Sequence, residues 1–106
     1  MIVTTTDTVP GKKVTKVLGI AKGSTIRSKH VGTDIMAGLK NIVGGELKGY
    51  TEMLNEAREE ALERMEMDAD SMGADAVINV RLMTSTVVAG AAEVLAYGTA
   101  VKLEAY

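Results

Sequence analysis

Residues 46–72, ELKGYTEMLNEAREEALERMEMDADSM, carry the longest single periodicity in the chain. At 100° per residue, Leu47, Tyr50, Leu54, Ala57, Ala61, Leu62, Met65, Ala69 and Met72 share one stripe. Glu52, Glu56, Glu59, Glu63, Glu66 and Asp70 fall opposite. This is the pattern of an amphipathic helix with one face on a core. Gly73, one residue past the last stripe position, is a stop signal. Gly49 costs about 1 kcal/mol relative to alanine, which leaves the helix start open between Glu46 and Glu52. Asp68 and Asp70 oppose the helix dipole at the far end, so packing must hold that end.

Working outward, Gly44-Gly45 interrupts the chain just before this helix. Upstream of it, Thr33 is an N-cap, Asp34 sits in a first turn, and Ile35, Met36, Leu39, Ile42 and Val43 form a short helical stripe. The remaining stretches read as strands. Ile2–Thr6 is a short β-branched run, and Val9-Pro10-Gly11-Lys12 is a turn. Lys13–Ile26 sets Val14, Leu18 and Ile20 on one side and Thr15, Val17, Gly19 and Ala21 on the other. Gly19 and Gly23 mark a bulge or a close backbone approach. In Ala76–Val87 the alternation puts Ala76, Ile78, Val80 and Leu82 opposite Val77, Asn79, Arg81, Met83 and Ser85. Val88–Ala92, with Gly90, is a hairpin connection. Glu93–Glu104 then sets Leu95, Tyr97, Val101 and Leu103 against Val94, Ala96, Gly98 and Ala100, a small-residue side that admits close approach. The expectation is an α+β two-layer sandwich: an antiparallel β-sheet packed against one long α-helix, with a short preceding helix. Its 106 residues make one domain, 1–106.

Composition narrows the function classes. The core must be aliphatic, because there is no Phe or Trp and the aromatic residues are Tyr50, Tyr97 and Tyr106. A net charge of −2 argues against a general nucleic-acid or phosphate-binding protein. Thr51–Met72 holds eight acidic and two basic residues, a net of −6, and the rest of the chain has six acidic and ten basic, a net of +4. The helix therefore shows an acidic face beside a mildly basic remainder: a solvated face, or charge complementarity between subunits. With no Cys, disulfides, thiol catalysis and Cys-based metal sites are excluded. Met1–Thr6 lacks the basic and apolar regions of a signal peptide, and no 18-residue apolar window spans a membrane. The expected location is cytoplasmic.

Candidate chemistry is sparse. His30 stands alone beside Arg27 and Lys29, where positive charge opposes a cation. Glu59, Glu63, Glu66 and Asp70 run along one straight helix and do not surround an ion. Ser24, Ser28, Ser71 and Ser85 lack an elbow motif, and Gly44-Gly45-Glu46 lacks the spacing of a phosphate loop. Arg58 is the exception on the stripe, standing where an apolar side chain belongs. Two readings stay open for it. Either its stem covers the core while its head reaches a carbonyl or a neighbouring subunit, or it forms an anion site at a subunit junction.

Several motifs together resemble the YbjQ-like family of small bacterial proteins: NIVGGE at 41–46, AREEALERM at 57–65, GADAVINVR at 73–81 and AYGTAV at 96–101. Asp34-Ile35 and the Pro10-Gly11 turn also match its pattern. The resemblance implies a dodecin-like subunit and a ring-shaped homopentamer assembled partly through extra short strands. It also carries the label "putative heavy-metal-binding domain", from which this chain departs: no Cys, one His, and carboxylates on an open helix face. It supplies no catalytic residue, cofactor or metal ligand. The sequence thus reads as a non-enzymatic homo-oligomeric (pentameric) module that binds a small ligand or partner at subunit interfaces. Arg58, Asp34, Gly44, Gly45 and Glu46 are the interface or ligand candidates. The alternative is a metal-ion-binding protein.

Overall fold

The computed structural model describes residues 1–28, 45–88 and 90–106. Over these, the chain forms β1 (Ile2–Val3), β2 (Lys12–Ser28), α1 (Gly45–Ser71), β3 (Ala76–Val88) and β4 (Ala91–Ala105). The four strands make one sheet in the order β1-β3-β4-β2, with α1 packed mainly over β2 and β4. The α+β class and the single long helix are as expected. The expected short preceding helix with Asp34, the loop residue His30 before it and the Gly44 break after it lie outside the described residues.

The sheet departs from the expected all-antiparallel arrangement. β2 and β3 both run antiparallel to β4, but β1 pairs parallel with β3, Ile2 beside Ala76 and Val3 beside Val77. Period-2 patterns place a strand's faces and say nothing of its neighbour, so the Ile2–Thr6 run reads as a strand while its parallel direction does not show in the sequence. Past Val3 the contact continues irregularly: Val80 N–H donates to Thr4 O and Asn79 N–H to Thr6 O, each at 3.0 Å.

Two bulges reverse faces that simple alternation assigns. In β2 the register shifts between Val17 and Gly19, where Gly19 has φ +142°. Leu18 therefore packs against the core while Ile20, expected on its side, is 68% exposed. In β3 the shift falls between Ile78 and Arg81, around Asn79 with φ +53°. Val77 and Val80 consequently share the core under the helix, and Ala76 and Ile78 join Val101 in a second cluster covered by Val9 and Leu103. In β4 the small-residue side does face the helix, as Val94, Ala96 and Ala100 are buried.

The helix stripe is sharper than its hydropathy. Met53, Ala57, Ala61, Met65 and Ala69 are buried, spaced every fourth residue, whereas Leu54 and Leu62 are only half-buried. Four residues advance about 400° around a helix, so this line drifts about 40° per step and winds across the twisted sheet. Small residues dominate because the backbones meet. A Cβ placed on Gly23 would lie 2.2 Å from Met65 N and 2.5 Å from Ala61 O. At the C-terminal end Gly73 adopts φ +78°, with Gly73 N–H on Asp70 O and Ala74 N–H on Ala69 O, a Schellman stop.

Candidate functional site

Around that buried line, α1 has two flanks. Residues one position before each buried residue (Glu56, Glu60, Arg64 and Asp68) turn toward β2. Of those one position after, Leu62 faces β3 across a cleft with Val80 and Leu82.

On the β2 flank the polar groups form a closed network. Glu60 Oε1 accepts Thr25 Oγ1–H at 2.6 Å and pairs with Arg64 Nη2 at 2.8 Å, while Glu60 Oε2 accepts from Arg27 Nη2. Arg27 Nη1 also donates to Glu56 Oε2 at 3.2 Å. The Thr25 hydroxyl first, then Arg27, hold the Glu60 carboxyl below the usual carboxylate range, and Glu60 raises the Arg27 guanidinium in turn. A carboxylate so held stays ionised near neutral pH and is a poor proton acceptor, so this network clamps helix to strand. The same flank closes the sheet edge. Asp68 Oδ2 accepts Lys22 N–H at 3.0 Å, and Arg64 Nη1 donates to Ser24 O at 2.7 Å. Asp68, which opposes the helix dipole, thus has a partner in β2. Beyond the helix end, Asp75 Oδ2 accepts Leu103 N–H at 2.8 Å, and that bond with nearby Lys102 lowers its pKa.

On the β3 flank the structure is open. A cleft of about 590 Å³ is lined by Val3, Thr4, Leu62, Val80, Arg81 and Leu82. Arg81 Nη1 donates to Thr5 O at 3.2 Å and Val80 O at 2.9 Å, tying down the loop after β1. One turn from Leu62, Arg58 is half-buried and Nη1 donates to Asn55 Oδ1 at 3.1 Å. Of the other sequence candidates, Gly45 opens α1 and Glu46 lies in its first turn. Sequence reasoning missed Thr25, Arg27 and Glu60 as a unit, because β2 and α1 meet only in the fold.

Among the described residues, no group of three or more His, Asp or Glu side chains is arranged to hold a metal ion. No helix among them is long and apolar enough to cross a membrane.

These features define a small helix-on-sheet protein with one closed and one open flank, and its relatives match it over nearly the whole sequence. The family model described as "Putative heavy-metal-binding" matches residues 1–104, and the chain belongs to this YbjQ family. It is 66% identical over 103 residues to a UPF0145 protein of Methanosarcina acetivorans, covering 97% of each chain. It is 64% identical to a UPF0145 protein of Hahella chejuensis, covering 98% of this chain and 100% of that one. A UPF0145 protein of Archaeoglobus fulgidus is 63% identical over 97% of this chain and 95% of its own. The family is therefore not confined to bacteria, and none of these names states an activity. The crystal structure of a DUF74-family protein of unknown function from Pediococcus pentosaceus superposes with a TM-score of 0.62, at 17% identity and 98% coverage of both chains. That likeness establishes the fold.

The family's description raises a metal, and the residues here do not fit a soft one. Soft metals select thiolates, and this chain has no Cys. Glu60, the most enclosed carboxylate of the acidic cleft beside Arg27, is already engaged by one hydroxyl and two guanidinium groups.

Proposed function

We propose that this protein is the subunit of a non-enzymatic, cytoplasmic homo-oligomer, a dodecin-like ring of five copies, which binds a small ligand or partner where subunits meet. The observation that carries the reading is the outer edge of β3. Among the described residues no strand lies beside it from Leu82 to Val88, and this seven-residue run is uncharged and rich in β-branched side chains. A bare apolar edge of that kind templates pairing with another chain unless it is covered. The shape agrees. The radius of gyration is 17.3 Å, against about 13 Å for a compact domain of this length. Arg58 is the proposed contact on the described surface, with Asp34 and Gly44, Gly45 and Glu46 as further candidates.

Native mass spectrometry with sedimentation equilibrium tests this. One discrete species near five times the 11.2 kDa subunit is expected, and a clean monomer at micromolar concentration would overturn the reading. Metal binding is tested beside it. Calorimetric titration with zinc, copper and cadmium is expected to give no saturable heat, and a saturable isotherm would restore the family's description as this chain's role.

A further inference from the structure

Arg27 and Arg64 on the closed flank are paired with Glu56 and Glu60. Arg81, on the wall of the open cleft, pairs with no carboxylate among the described residues. Both of its bonds leave from Nη1 and end on main-chain carbonyls, Thr5 O and Val80 O. Those two anchors hold the guanidinium in place, and its Nε and Nη2 donors have no protein partner among the described residues. The Thr5 hydroxyl on the same cleft is likewise free. The remaining walls are aliphatic: Val80 is buried, Leu62 half-buried, and Val3 and Leu82 are 37% and 43% exposed. Small-molecule sites combine apolar walls with a few converging polar groups in roughly 300–1,000 Å³, and the cleft, at about 590 Å³, lies within that range.

We infer that this cleft binds a free aliphatic monocarboxylate, with the carboxylate on Arg81 and the Thr5 hydroxyl and the hydrocarbon chain along Leu62, Val80 and Leu82. Such a molecule is the small ligand of the function proposed above, on which the inference rests, although the cleft lies within a single chain. Three features select this class. First, a guanidinium offers parallel N–H donors that match a planar carboxylate, and Arg81 is the lone cation on the cleft, which suits one negative charge and not a polyphosphate. Second, among the described residues the walls hold no aromatic ring on which a planar heterocycle could stack, so a saturated chain is the body that fits them. Third, no carboxylate lines the cleft to repel an anion, because Glu59, Glu63 and Glu66 of α1 border other depressions. The two carbonyl anchors on Nη1 also lower the ordering cost of binding, since the guanidinium is already positioned.

The test is calorimetric titration of the full chain with octanoate, decanoate, 1-decanol and inorganic phosphate, with far-ultraviolet circular dichroism as the check on folding. Decanoate is expected to bind saturably, and each methylene gained over octanoate is expected to tighten binding about fourfold. Decanol, which lacks the charge, is expected to bind about tenfold or more weakly than decanoate. Arg81→Gln is expected to weaken decanoate by about the same factor and leave decanol unchanged, whereas a collapsed cleft would lose both. Arg81 also fastens the loop at Thr5, so Leu82→Glu serves if that variant does not fold. It keeps the arginine, sets a carboxylate in the cleft and is expected to abolish decanoate binding. No saturable heat with decanoate, equal affinities for the two chain lengths, or variants that bind like wild type would overturn the inference. Phosphate binding as tightly as decanoate would overturn the carboxylate assignment. Sedimentation equilibrium on the same samples separates the two readings. A monomer that binds decanoate overturns the oligomer and leaves the ligand class standing, and a pentamer that does not bind it overturns the ligand class alone.

Discussion

Along β2, the outward-facing main chain meets helix side chains: Lys22 N–H ends on Asp68, and Ser24 O on Arg64. Lys12, Lys13, Lys16 and Lys22 add charge to the same strand. Along β3, β1 covers only the start, Arg81 fastens the loop after it, and Leu82–Val88 runs on uncharged. Charged and capped edges are how sheets avoid unwanted pairing, so the β2 edge is the one protected against it. The helix repeats the asymmetry, with Glu60 and Arg64 salt-bridged over β2 and apolar Leu62 over β3.

The largest effect comes from undoing the closed side. Gly23→Ala puts a Cβ within 2.7 Å of three backbone atoms of α1, and neither chain can yield without lifting the helix off β2. The expected loss is about 3 kcal/mol or more in urea denaturation, since the clash is with backbone and not a flexible side chain. If Gly23→Ala melts like wild type, the closed flank is not held by close contact. A smaller effect is expected where β3 turns over. Asn79 sits at φ +53°, which asparagine tolerates and a β-branched residue does not. Asn79→Val is expected to cost about 1–2 kcal/mol, and Asn79→Gly close to nothing. Equal losses for the two would show that the side chain, and not the backbone conformation, matters there.

How much of this could be read in the residues follows the same division. The long helix, its Gly73 stop, the Pro10-Gly11 turn and the small-residue face of β4 are local signals of period or turn chemistry, and the structure has them. The turn closes with Lys12 N–H on Val9 O at 3.1 Å and Gly11 at φ +80°. The faces of β2 and β3 were misassigned because one inserted residue at a bulge reverses every side chain beyond it. Gly19 hinted at the first bulge, but Asn79 gave no signal for the second. Met53 lies in the core because the buried line follows the sheet's twist, which hydropathy cannot encode. The outer edge of β3 was also illegible: its sequence is an ordinary strand, and only the order β1-β3-β4-β2 shows that, among the described residues, no strand lies along it beyond β1.

The smallest effects concern the polar clamp. Thr25→Val removes the donor that most lowers the Glu60 pKa while keeping the shape of the side chain. A loss of a few degrees in Tm is expected, in line with one hydrogen bond in a small domain. The pH dependence gives the clamp its own signature. The pKa values of Glu60 and Asp75 are lowered in the folded chain, so the unfolded chain binds more protons as pH falls. Their contribution is complete above about pH 4.5 and is lost as pH drops through the folded values. Glu60→Gln should flatten the acid limb of the stability profile, and Thr25→Val should move it toward higher pH. Hydrogen exchange at acid pH locates the effect: protection should fall first in β2 and the facing part of α1. If β3 beyond Arg81 loses protection first instead, acid acts on the open flank, and the closed one is not the half that charge holds together.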